Sequence, residues 1–213
     1  MKKIQIIISL AILVGVFVFA VGWGSVNISA GDIFHIIVYR TLGIGNTPDL
    51  RIMNIVWYSR MPRVLLAFIV GAALSVSGAI MQSVLRNPLA SSYTLGVSSG
   101  ASLGAALVLF SGLPVLLNFA LPASGFAFGM TTIVLVVAMA MKMDGRMDNN
   151  TIVLVGMVLS LFINSITTLL MAVSREYAQR LIFWQMGSFS MQHWSTVFLL
   201  APIIFAGVLI AIR

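Results

Sequence analysis

Residues 60–104 read RMPRVLLAFIVGAALSVSGAIMQSVLRNPLASSYTLGVSSGASLG, two apolar stretches separated by the polar triplet Arg86-Asn87-Pro88. The first stretch, residues 64–85, carries no charged side chain. At about 1.5 Å per residue, a helix of this length matches a hydrocarbon core of about 30 Å. The stretch therefore predicts a transmembrane helix, and further runs of the same kind along the chain decide the fold.

Glycines recur in both stretches at helical spacing. Gly96, Gly100 and Gly104 lie four residues apart and would share one helical face, while Gly71 and Gly78 belong to a weaker run of small residues. Small residues let two backbones approach closely, which is how helices associate in lipid. We therefore predict that these glycines lie at helix–helix contacts.

Composition excludes several classes of protein. The chain is 60% hydrophobic and 8% charged, with a mean hydropathy of +1.09, which no water-soluble domain can match. It contains no cysteine, so disulfides and thiolate metal sites are excluded, and we predict no metal site. The net charge of +7 is spread over loop ends, so nucleic acid is not an expected partner.

Several uncharged runs predict an all-α fold, a polytopic transmembrane helical bundle that forms one domain over residues 1–213. The N-terminal run is too long for a signal peptide, so we read it as a retained span with its start in the cytoplasm. Residues 27–59 form the longest polar stretch, and we expect a surface-lying helix there. The six predicted spans cover residues 4–25, 64–85, 92–110, 125–141, 151–173 and 194–213.

Six spans would place both chain ends in the cytoplasm. The distribution of positive charge between the two sides does not discriminate between this orientation and the opposite one. Lysines and arginines then divide evenly between the two sides, against the usual cytoplasmic excess. Either the topology is wrong, or outward arginines are retained to bind an acidic partner. The outward set would be Arg40, Arg51, Arg60, Arg63, Arg175 and Arg180.

Arg60 and Arg63 stand at the start of the second span, three residues apart and so on one helical face. Positive charge is unfavourable at a helix N-terminus, because that end of the helix dipole is itself positive. We therefore expect both arginines to interact with something outside the helix. Spacing alone leaves lipid phosphates and an acidic partner as alternatives.

No ionisable residue lies inside the predicted spans except at the chain's last residue. All carboxylates, including Asp144 and Glu176, and both histidines fall between spans or at their ends. Proton-driven carriers need such groups at depth, and acid–base enzymes need them at an active site. We therefore expect a conduit driven by a separate subunit rather than an enzyme. A sodium-coupled or facilitative transporter or channel of unrelated fold is the alternative, and a membrane scaffold is a third.

The fifth predicted span carries a polar stripe with a spacing of four residues: Ser160, Asn164 and Thr168. These side chains could line a passage for a bulky solute, or they could form hydrogen bonds between helices. The residues that open the span, Asn149, Asn150 and Thr151, are suited to capping its N-terminus.

Five sequence blocks occur in a characteristic order: Arg60–Arg63, Gly71–Gln82, Asn87–Ala90, Leu95–Ala101 and Trp184–Ser188. Together they resemble the permease subunit of ABC importers for iron-siderophores, haem and vitamin B12. One such block would be weak evidence, but five in order across some 130 residues are specific.

The resemblance implies a permease that provides the translocation pathway for an iron chelate, haem or a corrinoid. It further implies a permease homodimer or heterodimer in the plasma membrane of a prokaryote, a cytoplasmic ATPase, and a substrate-binding protein outside. ATP and magnesium would then be bound by the ATPase and no cofactor by this chain, whose sequence has no G-x-x-x-x-G-K-[ST] loop.

The resemblance also implies roles for individual residues. Arg60 and Arg63 would receive carboxylates of the binding protein, and the helix with Ser160, Asn164 and Thr168 would line the passage. Residues 149–151 would narrow its cytoplasmic gate. Family members have about ten spans, so we expect this chain to be a fragment or a split gene product, and transport by these residues alone is not expected.

Overall fold

The computed structural model describes residues 2–111, 117–145 and 148–212. Arg146 and Arg213, which the predicted topology assigns to the cytoplasmic side, and the turn predicted around Pro114 lie outside the described residues. The described helices are α1 (Lys2–Gly22), α2 (Ala30–Leu42), α3 (Leu50–Asn54), a π-helical turn (Ile55–Arg60), α4 (Met61–Leu85), α5 (Val97–Phe110), α6 (Leu117–Met143), α7 (Asn149–Val173), α8 (Arg175–Met186) and α9 (Trp194–Ile212).

The predicted fold class, an all-α membrane bundle, is confirmed. In the described residues, five helices are long and apolar enough to cross a bilayer, and α5 is a shorter apolar helix. The long helices are Lys3–Gly22, Leu50–Leu85, Phe119–Met143, Asn149–Val173 and Trp194–Ala211.

The chain divides into two compact units. The first comprises Met1–Leu74 with Phe189–Arg213, and the second comprises Ser75–Ser188. The first unit therefore contains α1, α2, α3, the π-helical turn and α9, and the second contains α5, α6, α7 and α8.

The third predicted span is shorter than expected, because α5 begins at Val97 rather than at residue 92. Gly96 precedes it with φ of 77°, a left-handed conformation in which glycine is not strained. At about 1.5 Å per residue, α5 is roughly 21 Å long and does not by itself match a hydrocarbon core of about 30 Å.

In the segment between α4 and α5, polar side chains form hydrogen bonds with backbone N–H and carbonyl groups of the same segment. The Asn87 side-chain oxygen accepts the Leu89 N–H at 2.9 Å. The Thr94 hydroxyl accepts the Ser91 N–H at 3.0 Å and donates to the Ser91 carbonyl at 2.7 Å. Arg86, which starts this turn, has φ of 47°, so the chain leaves α4 through a left-handed residue. These bonds keep an irregular segment ordered next to apolar helices.

Two helices begin earlier than the sequence suggests. Helical structure continues from Leu50 through the π-helical turn into α4, whereas the sequence up to residue 59 belongs to the longest polar stretch. Helix α6 begins at Leu117 and includes Pro122, where the sequence predicts a turn. Pro122 lies near the helix start, so only a carbonyl of the first turn loses its partner.

Helix α8 occupies a stretch in which the sequence predicts no span, because it is polar over residues 175–180 and semi-polar beyond them. Its Leu181 is only 1% exposed and packs with Ala105, Ala106 and Leu109 of α5. Tyr177 of α8 contacts Phe110 with ring centroids 5.5 Å apart. The helix therefore covers one side of α5 with a narrow apolar face.

Glycines set the distance between α5 and its neighbours in the second unit. A Cβ on Gly104 would lie 2.6 Å from the Ser124 carbonyl oxygen, and one on Gly100 would lie 2.8 Å from the Phe128 carbonyl oxygen. Both oxygens belong to the α6 backbone, which cannot yield as a flexible side chain would. A Cβ on Gly156 of α7 would similarly lie 2.5 Å from the Thr94 carbonyl oxygen. These helices pack in direct backbone contact.

The two remaining glycines of the predicted packing set are in a different environment. A Cβ on Gly71 or Gly78 would meet no atom within 4 Å. Their assignment to helix–helix contacts stays a prediction, and within this chain they provide a comparison for the buried glycines.

We expect Gly100→Ala to lower the free energy of unfolding by about 1–3 kcal/mol, because the new methyl group overpacks the α5–α6 contact. Gly78→Ala is the matched control, since the same methyl group enters open space and favours the helix. Thermal unfolding of the two purified variants in detergent measures the difference. Equal stability of the two variants would show that the α5–α6 contact tolerates a methyl group.

Candidate functional site

One end of the first unit gathers the candidate docking residues. Val21 from α1, Ile33 and Ile36 from α2, and Val56 from the π-helical turn are all buried in one cluster, together with Met61. Ile33 and Ile36 belong to the apolar face predicted for the surface helix, and Ile36 is only 1% exposed. This cluster fixes α2 against the end of α1 and the beginning of α4.

The π-helical turn changes which side chains face the cluster. The Met61 N–H donates to the Val56 carbonyl five residues earlier, one residue more than in an α-helix. The extra residue widens the turn, which contains Trp57, Tyr58 and Arg60. A wide turn of this kind is often found at functional sites.

Arg60 is 9% exposed and its guanidinium binds three backbone carbonyls. One terminal nitrogen donates to the carbonyls of Val21 and Gly22, each at 2.8 Å, and the other donates to Val26 at 2.6 Å. Val21 and Gly22 are the last residues of α1, whose final carbonyls have no partner within the helix. Arg60 thus provides both a hydrogen-bonding cap and a favourable charge for the end of α1.

A close approach of the α1–α2 connection accompanies this cap. A Cβ on Gly24 would lie 2.5 Å from a terminal nitrogen of Arg60. The connection therefore passes directly against the guanidinium, and a side chain at residue 24 would displace it.

Arg63 differs from Arg60 because its side chain is exposed. The two arginines that the sequence places on one face are thus separated by the structure into a buried one and an exposed one. The assignment of both to docking stays a prediction. The hydrogen bonds of Arg60 to three carbonyls explain why a positive charge is present at this position without a partner protein. The Arg63 side chain, by contrast, is accessible to a partner protein.

A third arginine, Arg40, lies against the aromatic residues of the π-helical turn. Its guanidinium donates a hydrogen bond to the Tyr58 hydroxyl. Its central carbon lies 5.2 Å from the Tyr58 ring centroid and 5.9 Å from the Trp57 ring centroid. Arg40 is exposed, so these contacts hold a solvent-accessible cation in a defined position.

Trp194, at the beginning of α9, contacts Trp57 of the same π-helical turn. Its indole N–H donates to the Trp57 carbonyl at 2.8 Å, and the centroids of the two indole rings lie 5.0 Å apart. The aromatic support beneath Arg40 is therefore itself fixed by a distant part of the sequence.

The predicted polar stripe on α7 divides between two environments. Ser160 is buried, donates to the Gly156 carbonyl at 2.6 Å, and lies so close to Gly96 that a Cβ there would be 2.8 Å from its hydroxyl. Asn164 and Thr168 are exposed. Their role as lining residues stays a prediction, and Ser160 lies apart from them at the contact with the α5 N-terminus.

The predicted gate residues form the first turn of α7. Asn149 opens the helix, and the residue at the cap position is Asp148 rather than any of Asn149, Asn150 or Thr151. Asn150 donates a long hydrogen bond of 3.5 Å to the Asp148 carboxylate. The interpretation of these residues as helix caps is therefore wrong, and their assignment to a gate stays a prediction.

Sequence reasoning misses the cluster of Arg40, Trp57 and Tyr58. It identifies Trp57 and Tyr58 only as aromatic residues suited to the membrane interface before the second span, and Arg40 only as one of several outward charges. Because the contact joins residues 18 apart through a π-helical turn, no local spacing indicates it.

The long apolar helices of the described residues define the class of the protein as a polytopic helical membrane protein. The chain belongs to the FecCD transport family, whose family model matches residues 12–213. The resemblance and the membrane location predicted from the sequence are thereby confirmed.

Curated relatives include the ABC transporter permease protein YvrB of Bacillus subtilis, which is 36% identical over 97% of this chain and 59% of its own length. The Fe(3+) dicitrate transport system permease protein FecC of Escherichia coli is 30% identical over 79% of this chain and 51% of its own length. The chain spans between half and three fifths of these two proteins. Both are named as permeases, which agrees with the prediction of a transport subunit rather than an enzyme.

A solved structure described as a metal-chelate type ABC transporter in an inward-facing conformation has a similar fold. It is 28% identical, with a TM-score of 0.75 over 97% of this chain and 60% of that chain. The chain is therefore similar in fold to part of an ABC transporter.

We expect Arg60→Ala to lower the free energy of unfolding by about 2 kcal/mol, because hydrogen bonds between a charged group and three carbonyls are lost. Arg63→Ala removes the same group from an exposed position and should change stability little. Thermal unfolding of the two purified variants tests the difference. Limited proteolysis within residues 23–29 should also be faster for Arg60→Ala, and equal cleavage of both variants would contradict the capping role.

Proposed function

We propose that this chain is part of the membrane-spanning permease of an ABC importer, and that it helps form the passage for an iron chelate, haem or a corrinoid. The observation that carries the proposal is the family match over residues 12–213. In this proposal a substrate-binding protein delivers the solute from outside, and a cytoplasmic ATPase binds ATP and magnesium and drives the cycle. The permease works as a homodimer or heterodimer.

The distribution of charge supports an external source of energy. Residues 64–85 and 151–173 contain no ionisable side chain. A proton-driven carrier would need such a group at depth. The apolar helices can form walls that change position when a partner hydrolyses ATP, without themselves exchanging protons.

The exposed arginine at the start of α4 supports docking of a binding protein. Arginine binds carboxylates with two parallel charge-assisted hydrogen bonds, which gives orientation as well as attraction. Arg63 is accessible for such a contact, and Arg60 stabilises the end of α1 beneath it. In this proposal Arg63 makes the direct contact and Arg60 maintains the surface.

Asn164 and Thr168 support a passage along α7. They are exposed on this chain, and the Thr168 hydroxyl already donates to the Asn164 carbonyl at 2.8 Å. A hydroxyl satisfied in this way presents a weakly polar surface to which a bulky solute would not adhere tightly. The first turn of α7, residues 149–151, would narrow the cytoplasmic end of the passage.

Relatives point to more than one class of solute. Their names include iron(3+)-hydroxamate import for FhuB of Salmonella typhimurium, cobalamin import for BtuC of Halobacterium salinarum, and molybdate import for MolB of Haemophilus influenzae. Two of these three solutes are bulky metal complexes, and FecC adds a third in ferric dicitrate. We therefore propose a metal complex as the solute.

Uptake into proteoliposomes tests the function. The full-length permease would be reconstituted with its ATPase and binding protein and offered labelled ferric hydroxamate, ferric citrate, haem, cobalamin and molybdate in parallel. We expect uptake of one metal complex that requires both ATP and the binding protein.

The matched control is an ATPase whose P-loop lysine is replaced, which should abolish uptake while the complex stays assembled. Uptake that follows a sodium or proton gradient without ATP would contradict the proposal and favour a gradient-driven transporter.

A further inference from the structure

The end of the first unit that carries Arg63 has an excess of exposed positive charge. Arg40, Arg51 and Arg63 are all exposed there. The two carboxylates of the same stretch form hydrogen bonds at helix starts, and neither forms an ion pair with these arginines in the described residues. Asp32 accepts a hydrogen bond from the Ser29 hydroxyl at the start of α2, and Asp49 accepts the Arg51 N–H at the start of α3.

Arg40 differs from Arg51 and Arg63 because aromatic side chains contact its guanidinium and hold it in position. Tyr58 and Trp57 contact its guanidinium, and Trp194 in turn fixes Trp57. The Tyr58 hydroxyl takes only one donor of a group that has five. The remaining N–H groups are held in place and exposed, so little side-chain entropy is lost when they bind an acceptor.

Helix length and composition place Arg40 and Arg63 on the same side of a membrane. Helix α1 is long enough to cross it, α2 is too short to cross back, and α4 begins the next crossing. Tyr58, which binds Arg40, precedes Arg63 by five residues of continuous helical structure, a rise of roughly 7 Å. The two cations are therefore close enough for one partner protein to contact both.

We infer that Arg40, positioned by Trp57 and Tyr58, is a docking residue that acts together with Arg63. Its partner is a carboxylate on the acidic surface of the substrate-binding protein. The inference rests on the proposed function. A lipid phosphate would be bound as well by an unsupported arginine, whereas a fixed, planar guanidinium suits a carboxylate held at a fixed position on a folded protein. Arginine and aromatic residues together are also typical of the strongest contacts in protein interfaces.

The test measures the affinity of the binding protein for the full-length permease–ATPase complex in nanodiscs of zwitterionic lipid. The probe is the purified substrate-binding protein that the proposed function requires. We expect Arg40→Glu to weaken binding by about tenfold or more. Arg51→Glu is the matched control: it makes the same change of charge at an exposed arginine with no aromatic support, and should weaken binding by less than about threefold.

Two further variants separate position from charge. Tyr58→Phe keeps every charge and the ring but removes the hydroxyl that binds Arg40, and it replaces an exposed side chain, so folding is preserved. It should weaken binding by about two- to fivefold. Arg40→Lys keeps the charge but loses the planar group, and it should weaken binding more than Arg51→Lys does.

The outcomes are distinct. If the unaltered complex does not bind the binding protein, the proposed function fails and this inference fails with it. If the unaltered complex binds but Arg40→Glu and Arg51→Glu have equal effects, only the inference is overturned, because attraction is then a matter of overall charge. If Arg40→Glu leaves this affinity unchanged but lowers the thermal stabilisation given by added phosphatidylglycerol, Arg40 is a lipid anchor and the inference is wrong.

Discussion

Direct contact between helix backbones is the interaction on which the second unit depends. In lipid, apolar side chains gain little by leaving one apolar environment for another, so helices associate through close packing. Gly100 and Gly104 place the α5 backbone against α6, and Gly156 places α7 against the segment before α5. Helix α5 is central to the unit because three other helices, α6, α7 and α8, are packed around it.

In the first unit, side chains that bind the backbone groups at helix ends have a comparable importance. Its backbone groups at helix ends need partners, because unpaired carbonyls are costly away from water. Arg60 supplies donors for α1, Ser29 accepts the Asp32 N–H in α2, and Asp49 accepts the Arg51 N–H in α3. The residues that a motif search assigns to partner binding can thus serve first to complete the fold.

Sequence reasoning locates the long spans, because an uncharged run long enough to cross a bilayer is a strong pattern. It does not predict α8, whose apolar face is narrow, and it does not predict that helical structure extends back from the second span to Leu50, because Arg51 and Arg60 interrupt the apolar pattern. In the candidate site, it predicts the importance of Arg60 and Arg63 but not their separation by burial. Arg60 is buried because its guanidinium binds carbonyls at and just after the end of α1, 34 to 39 residues away in the sequence, and such a distant contact leaves no mark in residue spacing.

The turn between α4 and α5 has a consequence for engineering. Ser91 and Thr94 look like weak points in a hydrophobic protein, and a redesign guided by hydropathy alone would exchange them for valine or leucine. Yet their hydroxyls form the hydrogen bonds to the backbone that a helix would otherwise provide through its own N–H and carbonyl groups. Apolar side chains at those two sites would leave backbone N–H and carbonyl groups without hydrogen-bond partners. Libraries made to improve expression should therefore keep Ser91 and Thr94 constant while varying the lipid-facing surface.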